Sequence, residues 1–261
     1  MHVSELGYLG AAAAAVASGA VNAVAGGGTL ISFPSLVAIG VAPVPANITN
    51  TVSLLPGYLA GTWGQREDLR PQIEASRTLS LVAAVGGLSG SVLLVVVPAQ
   101  VFRAVVPFLI LISCALMVAQ DRLRQMLSTP PAHTGGERTS PSQGTHRRML
   151  NATVFVAAMY GGFFGAGLGI MLLAVLGVFL HGPLVRLNAL KQALSLVVNL
   201  IAAVLFCFSG RVVWPVVPVM ALGSLCGGYA GSRTVSRINE KVLRTLVVFA
   251  GVAVAISFWV T

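Results

Sequence analysis

The sequence predicts an all-α polytopic membrane protein of two inverted internal repeats, with glycine-broken or re-entrant helices and about 8–10 membrane segments. Three observations predict it. Apolar residues make up 56% of the 261-residue chain and charged residues only 9%. No charged residue or histidine occurs between Glu5 and Arg66, and a hydrocarbon core about 30 Å thick takes roughly 20 residues of helix. Third, the second half of the chain echoes the first at a constant offset.

Glycine, proline and charge clusters divide the first half into apolar segments near residues 7–24, 29–40, 46–64, 76–97 and 101–119. The second half divides near 150–165, 169–181, 187–209, 213–232 and 241–260. The N-terminus lacks the basic region of a signal peptide, so 7–24 reads as the first membrane segment. Segments 29–40 and 169–181 are short for a full span, so each is expected to form a broken or re-entrant hairpin with the segment before it. From Asp121 to Arg148 the chain is polar and carries Pro130-Pro131 and Gly135-Gly136, the pattern of an exposed loop. The domains expected are a first transmembrane repeat at 1–120, a cytoplasmic polar linker at 121–149 and a second transmembrane repeat at 150–261.

The offset is 141 residues, set by Asn47 and Asn188. It also pairs Ala25 with Ala166, Gly26 with Gly167, Gly28 with Gly169, Arg70 with Arg211, Gly86 with Gly227, Gly87 with Gly228, Gly90 with Gly231 and Arg103 with Arg244. Internal duplication is a common plan for secondary transporters. Arginines give the orientation. Arg66, Arg70 and Arg77 flank one break, Arg122, Arg124, Arg138, Arg147 and Arg148 lie in the central polar stretch, and Arg233, Arg237, Lys241 and Arg244 flank a third. Placing these rich clusters in the cytoplasm puts repeat-equivalent breaks on opposite sides, which requires inverted repeats. Both termini then face outward.

The net charge of +9 follows the breaks between segments, so it reads as topology rather than as a nucleic-acid surface. Cys114, Cys207 and Cys226 are isolated within apolar segments, without metal-ligand spacing, and read as small buried residues. Trp63, Trp214 and Trp259 near segment ends fit aromatic belts. His181 beside Gly182-Pro183 reads as a turn residue, and Arg186 as either an anion attractor or an interface anchor.

Asn188, Lys191, Gln192, Ser195 and Asn199 fall on one helical face inside an apolar run. A lysine near the bilayer centre costs at least roughly 2.5–3.5 kcal/mol and marks a functional site by default. The offset matches Asn47 with Asn188, Asn50 with Lys191, Thr51 with Gln192, Leu54 with Ser195 and Tyr58 with Asn199, so the two stripes are expected to face each other across a pseudo-two-fold axis. Structural hydrogen bonding between helices is the bland alternative, preferred for Thr49 and Ser53. Gly26-Gly27-Gly28-Thr29 and its counterpart Gly165-Ala166-Gly167-Leu168-Gly169 each precede a short segment. Such a break frees N–H groups at a helix start and forms an anion site, whereas plain close packing is the alternative. Every acidic residue (Glu5, Glu67, Asp68, Glu74, Asp121, Glu137, Glu240) lies at a terminus or a break. A cation carrier would want carboxylates at mid-membrane, so the ligand is expected to be an anion. With the cell interior negative, a unit anion gains about 2.3 kcal/mol per 100 mV on leaving, so export needs no coupling ion. No nucleophile–base pair, metal cluster or phosphate loop is present in the sequence, so a membrane enzyme is the distant reading and no catalytic residue, metal or cofactor is expected.

Asn22-Ala-Val-Ala-Gly-Gly-Gly-Thr-Leu-Ile-Ser-Phe-Pro34, Ala46-Asn-Ile-Thr-Asn50 and Leu55-Pro-Gly57 resemble the first repeat of the sulfite exporter TauE/SafE family. Leu187-Asn-Ala-Leu-Lys-Gln192, Ser209-Gly-Arg-Val-Val-Trp-Pro215 and Gly227-Gly-Tyr-Ala-Gly-Ser-Arg233 look like its second. The resemblance covers nearly the whole chain except the central polar stretch. It implies a multi-pass permease of the bacterial inner membrane that exports sulfite, sulfoacetate or a related organosulfur anion, and it places Asn47, Asn50, Lys191 and Asn199 on the family's polar positions. The candidate substrate site is therefore Asn22, Gly26, Gly27, Gly28, Thr29, Asn47, Asn50, Thr51, Gly167, Gly169, Asn188, Lys191, Gln192, Ser195 and Asn199. Expected partners are a small anion and the lipid bilayer, with no nucleic acid, and a homodimer is the oligomer in view. An uptake permease or a non-transporting membrane scaffold is the competing function.

Overall fold

The structure, a computed structural model, describes residues 4–24, 26–128, 143–180 and 182–234, together with 245, 248–249, 251–252 and 255–256. Its regular elements there are all helical: α1 (Glu5–Val24), α2 (Thr29–Ala38), α3 (Pro43–Gly64), α4 (Arg66–Leu69), α5 (Ile73–Val96), α6 (Ala99–Ser128), α7 (Gln143–Phe163), α8 (Leu168–Phe179), α9 (Leu184–Cys207) and α10 (Val217–Thr234), with short 3-10 turns before α5 and α10. Proline opens α3 and immediately precedes α9. Ala42 is extended at ψ 150° with Pro43 in the first turn, and Pro183 is extended at ψ 139° ahead of Leu184, which suits a residue that lacks an N–H and fixes φ.

Among the described residues, four stretches, Glu5–Val24, Ser76–Val96, Ala99–Gln120 and Leu184–Cys207, are long and apolar enough to cross a membrane. The regular structure of the described residues is thus that of a helical membrane protein. Large apolar side chains such as Leu81, Val96, Phe108, Val118 and Val204 stand exposed, while Asn47, Asn50, Lys191, Gln192 and Ser195 are buried. Polar-in, apolar-out is the arrangement lipid selects.

The polar stretch expected at 121–149 is helical at both ends, because α6 runs on to Ser128 and α7 already begins at Gln143. Asp121 to Ser128 contains no glycine or proline and several good helix formers, so nothing stops the helix before Pro130-Pro131. The proline and glycine pairs, Arg138, Ala25, His181, Arg237, Lys241 and Arg244 lie outside the described residues, as does most of the segment expected at 241–260.

Each half's first helix packs chiefly on the other half's α5 or α10: α1 lies along α10, and α7 along α5. The third helix of each half does the same, α3 on α10 and α9 on α5. Hydrophobic burial does not drive association between helices in lipid, so close approach at small residues matters instead. The glycines paired by the 141-residue offset supply it. Gly86 meets Phe155 and Met159 of α7, and Gly227 meets Val16 of α1; Gly90 meets Met159 and Phe163, and Gly231 meets Ala20. Gly87 rests on Val198 of α9, and Gly228 on Gly57 of α3.

These contacts also give directions. Ala12, Val16 and Ala20 of α1 meet successively later residues of α10, and Gly57 and Gly64 of α3 meet Gly228 and Ser232, so α1, α3 and α10 run the same way. By the same token α5 and α7 run together. Across the centre, α3 and α9 run opposite: Gly61 meets Gln192 and Gln65 meets Asn188. The breaks carrying Arg66, Arg70 and Arg77, then Arg147 and Arg148, then Arg233 thereby share one face. Arg211 lies at the other, where its Nη1 donates to the Val95 carbonyl at 3.3 Å.

Candidate functional site

A helix leaves its last carbonyls without partners, and α1 ends inside the protein, where something must satisfy them. The Val21 carbonyl accepts the Gly26 N–H at 2.9 Å. The Asn22 carbonyl accepts from Lys191 Nζ at 3.3 Å. The Ala23 carbonyl accepts from Asn188 Nδ2 and Gln65 Nε2, both at 3.4 Å. Gly26 makes the turn itself at φ 91°, a conformation glycine adopts without steric cost. The Asn22 side chain then pins the following stretch, its Oδ1 accepting the Gly28 N–H at 2.8 Å, while Ser18 Oγ donates to the Gly28 carbonyl at 2.8 Å.

The second break is built alike. Asn47 Nδ2 donates to the Phe163 carbonyl at the end of α7 at 2.9 Å. Ser113 Oγ and the Tyr160 hydroxyl donate to the Ala166 carbonyl at 2.9 and 2.8 Å. Each break is therefore braced by the third helix of the opposite half: α9 holds the end of α1, and α3 holds the end of α7.

The two breaks touch. A Cβ placed on Gly26 would lie 2.5 Å from Gly169 Cα, and one on Gly169 would lie 2.6 Å from Gly26 Cα and 3.3 Å from Lys191 Cδ. The lysine stem is thus packed against the junction, and Lys191 is 0% exposed. Next to it Gln192, also 0% exposed, has no hydrogen-bond partner on either amide atom, and Ser195 Oγ has none. Farther along α9, Asn199 Nδ2 donates to the Ser195 carbonyl at 2.8 Å and the Asn199 side chain shares a hydrogen bond with the Tyr58 hydroxyl. On α3, Asn50 Nδ2 reaches Thr29 Oγ1 at 3.5 Å, leaving Asn50 Oδ1 without a partner. Thr51 Oγ1 bonds back to the Asn47 carbonyl at 3.0 Å.

Of the residues singled out in the sequence, Asn22, Gly26, Gly169 and Lys191 gather at one buried point, with Gly28, Thr29 and Asn50 behind them. Gly27 and Gly167 turn instead toward α6, at Met117 and Ser113. Of the offset-matched pairs, Tyr58 and Asn199 meet where the helices cross, while Asn188 and Gln192 meet Gln65 and Gly61 rather than Asn47 and Thr51. The α9 stripe meets α3 at Tyr58, Gly61, Thr62 and Gln65, because antiparallel helices bring the late turns of one to the early turns of the other. Asn47 and Asn50 reach the helix breaks instead, at the Phe163 carbonyl and Thr29 Oγ1. Gln65 is the residue the sequence reading missed. It sits beside Arg66 at a break, and its place on the Tyr58, Gly61, Thr62 face was the available signal.

Between this junction and the arginine-rich face lies a cleft of about 330 Å³, lined by Val24, Gln65, Asp68, Asn188 and Arg233 among others. The positive ends of the α2 and α8 helix dipoles start at the junction. An ammonium, amide groups and two helix N-termini in one buried place suit a small anion with several acceptor oxygens.

A helical, polar-cored membrane protein with a buried cationic junction where its two halves meet belongs to the class of membrane transporters. Residues 11–258 match the family described as Sulfite exporter TauE/SafE, and the chain belongs to that family. Similar proteins include "Probable membrane transporter protein ORF9" of Sinorhizobium sp, 29% identical over 93% of this chain and 88% of its own length. "Probable membrane transporter protein YfcA" of Escherichia coli K12 is 25% identical over 90% of this chain and 82% of its own. A "Probable membrane transporter protein" of Haemophilus influenzae is 26% identical over 87% and 85%. No solved structure matches the chain.

Proposed function

We propose that the protein exports a small sulfur oxyanion or organosulfonate, with sulfite as the leading substrate, across the bacterial inner membrane at a site between two inverted repeats. The observation that carries this is the contact of Gly26 with Gly169 beside buried Lys191, where both helix breaks and both halves converge. The acidic residues lie at termini and breaks, with Asp68 at the cleft; that distribution favours an anion over a cation. Membrane potential then supplies the outward drive, about 2.3 kcal/mol per unit charge per 100 mV.

Opposite running directions of α3 and α9, and offset-related glycine contacts for α1–α10 and α5–α7, support inverted repeats. The gathering of Arg66, Arg70, Arg147 and Arg233 on one face supports placing that face in the cytoplasm. Alternating access follows from rocking of α1, α2, α3 and α10 against α5, α7, α8 and α9. These bodies are exchanged relative to the sequence halves, as the packing of α10 on α1 and α3 requires. In proteoliposomes loaded with radiolabelled sulfite, the wild type should release it and Lys191→Ala should not. Undiminished efflux in the variant removes the lysine from the mechanism.

A further inference from the structure

Lys191 is fully buried, so an anion in the cleft needs a path to it, and Gln65 stands in the cleft wall. Asn188 lies in the cleft wall one turn ahead of Lys191 on the same face of α9. Its Nδ2 donates to Gln65 Oε1 at 2.7 Å and to the Ala23 carbonyl at 3.4 Å. Gln65 Nε2 donates to the same Ala23 carbonyl at 3.4 Å. The next carbonyl back, that of Asn22, holds Lys191 Nζ. One small network therefore ties the end of α1 and the end of α3 to the start of α9. The first two belong to one bundle and the third to the other.

We propose that the Gln65–Asn188 amide pair is the latch on the arginine-rich face, closing the path from the cleft to Lys191 and opening when an anion takes the place of Gln65 Oε1. This rests on the transport reading. The chemistry fits the anion class. The Asn188 amide donates to Gln65, so an incoming oxyanion can accept that same N–H, whereas a cation cannot. The pair is neutral on both sides, so breaking it separates no buried charges. Toward the opposite face the corresponding brace is Asn47 Nδ2 on the Phe163 carbonyl, which also crosses between the bundles. A rocking transporter needs one such tie near each face, made and broken in turn.

The test reads access to the junction rather than transport. With Cys114, Cys207 and Cys226 replaced by serine, Ser195→Cys reports arrival of the membrane-impermeant anionic reagent 2-sulfonatoethyl methanethiosulfonate, applied to one face at a time in oriented vesicles. Gln65→Ala should speed labelling from the arginine-rich face about fivefold, the factor for loss of one net hydrogen bond, and leave labelling from the other face unchanged. Asn47→Ala should do the reverse. Gln65→Asn should speed it too, and the exchange Gln65→Asn with Asn188→Gln should restore the slow rate; this pair serves if Gln65→Ala fails to fold. Wild-type labelling rates in the Gln65 variants, or equal acceleration from both faces, overturn the latch. If sulfite efflux fails while face-specific labelling stands, the substrate assignment falls and the latch survives.

Discussion

Replacing Gly26 with alanine places a methyl carbon 2.5 Å from Gly169 Cα and 2.8 Å from its carbonyl carbon. Both neighbours are backbone, so no side chain can swing aside, and α8 must retreat by about 1 Å to reach ordinary contact distance. Overpacking of this kind costs about 1–3 kcal/mol. The φ of 91° adds about 1–2 kcal/mol once a Cβ is present. The sum is about 2–5 kcal/mol, and at roughly 2–4 °C per kcal/mol the melting temperature should fall by about 4–20 °C. Because the displaced segment carries Gly169 against Lys191, anion transport should fall even where the variant still folds. Gly10→Ala in α1 is the control, with nothing within 4 Å of its Cβ, and should melt within about 2 °C of wild type. Melting curves of the purified proteins in detergent decide the matter. A Gly26→Ala protein as stable as the control would refute the backbone-to-backbone junction on which the site is built.

Asn47→Ala should cost about 1–3 kcal/mol by orphaning the Phe163 carbonyl, read as a lower melting temperature; an unchanged value would mean water or another donor replaces the amide. Single cysteines at Ser232 and Ser209 on a cysteine-free background should react with an impermeant reagent from opposite sides of the membrane, Ser232 from the cytoplasmic side, since they lie at the arginine-rich and the opposite ends. Reaction of both from one side contradicts the arrangement of α10.

Helices and the polar stripe on α9 were legible because both are periodic: Asn188, Lys191, Gln192, Ser195 and Asn199 repeat with the helix, and the protein interior takes that face. The backbone partners of Lys191 and Asn188 were not legible, since the Asn22 and Ala23 carbonyls carry no residue signature. Offset-matched glycines at 86, 87, 90, 227, 228 and 231 announced close packing without naming the helix packed against. Exchange of α5 and α10 between bundles became visible only with the tertiary contacts. The same holds for the failure of the Asn47–Thr51 stretch to stack on its equivalent, which depends on the antiparallel crossing of α3 and α9. Continuation of α6 to Ser128 was legible and was overridden by charge, although arginine, leucine, glutamine and methionine are good helix formers.

Binding of a small anion at the junction of Gly26, Gly169 and Lys191 should show as ligand-induced stabilisation. Purified wild type would be melted against sulfite, thiosulfate, sulfonates and carboxylates, with Lys191→Gln alongside. At about a hundred times the dissociation constant a ligand adds about 2.7 kcal/mol, a rise of roughly 5–10 °C. Sulfite or a sulfonate should give such a saturating rise in the wild type and none in Lys191→Gln. An equal rise in the variant, or no rise in the wild type with any of these anions, would contradict it.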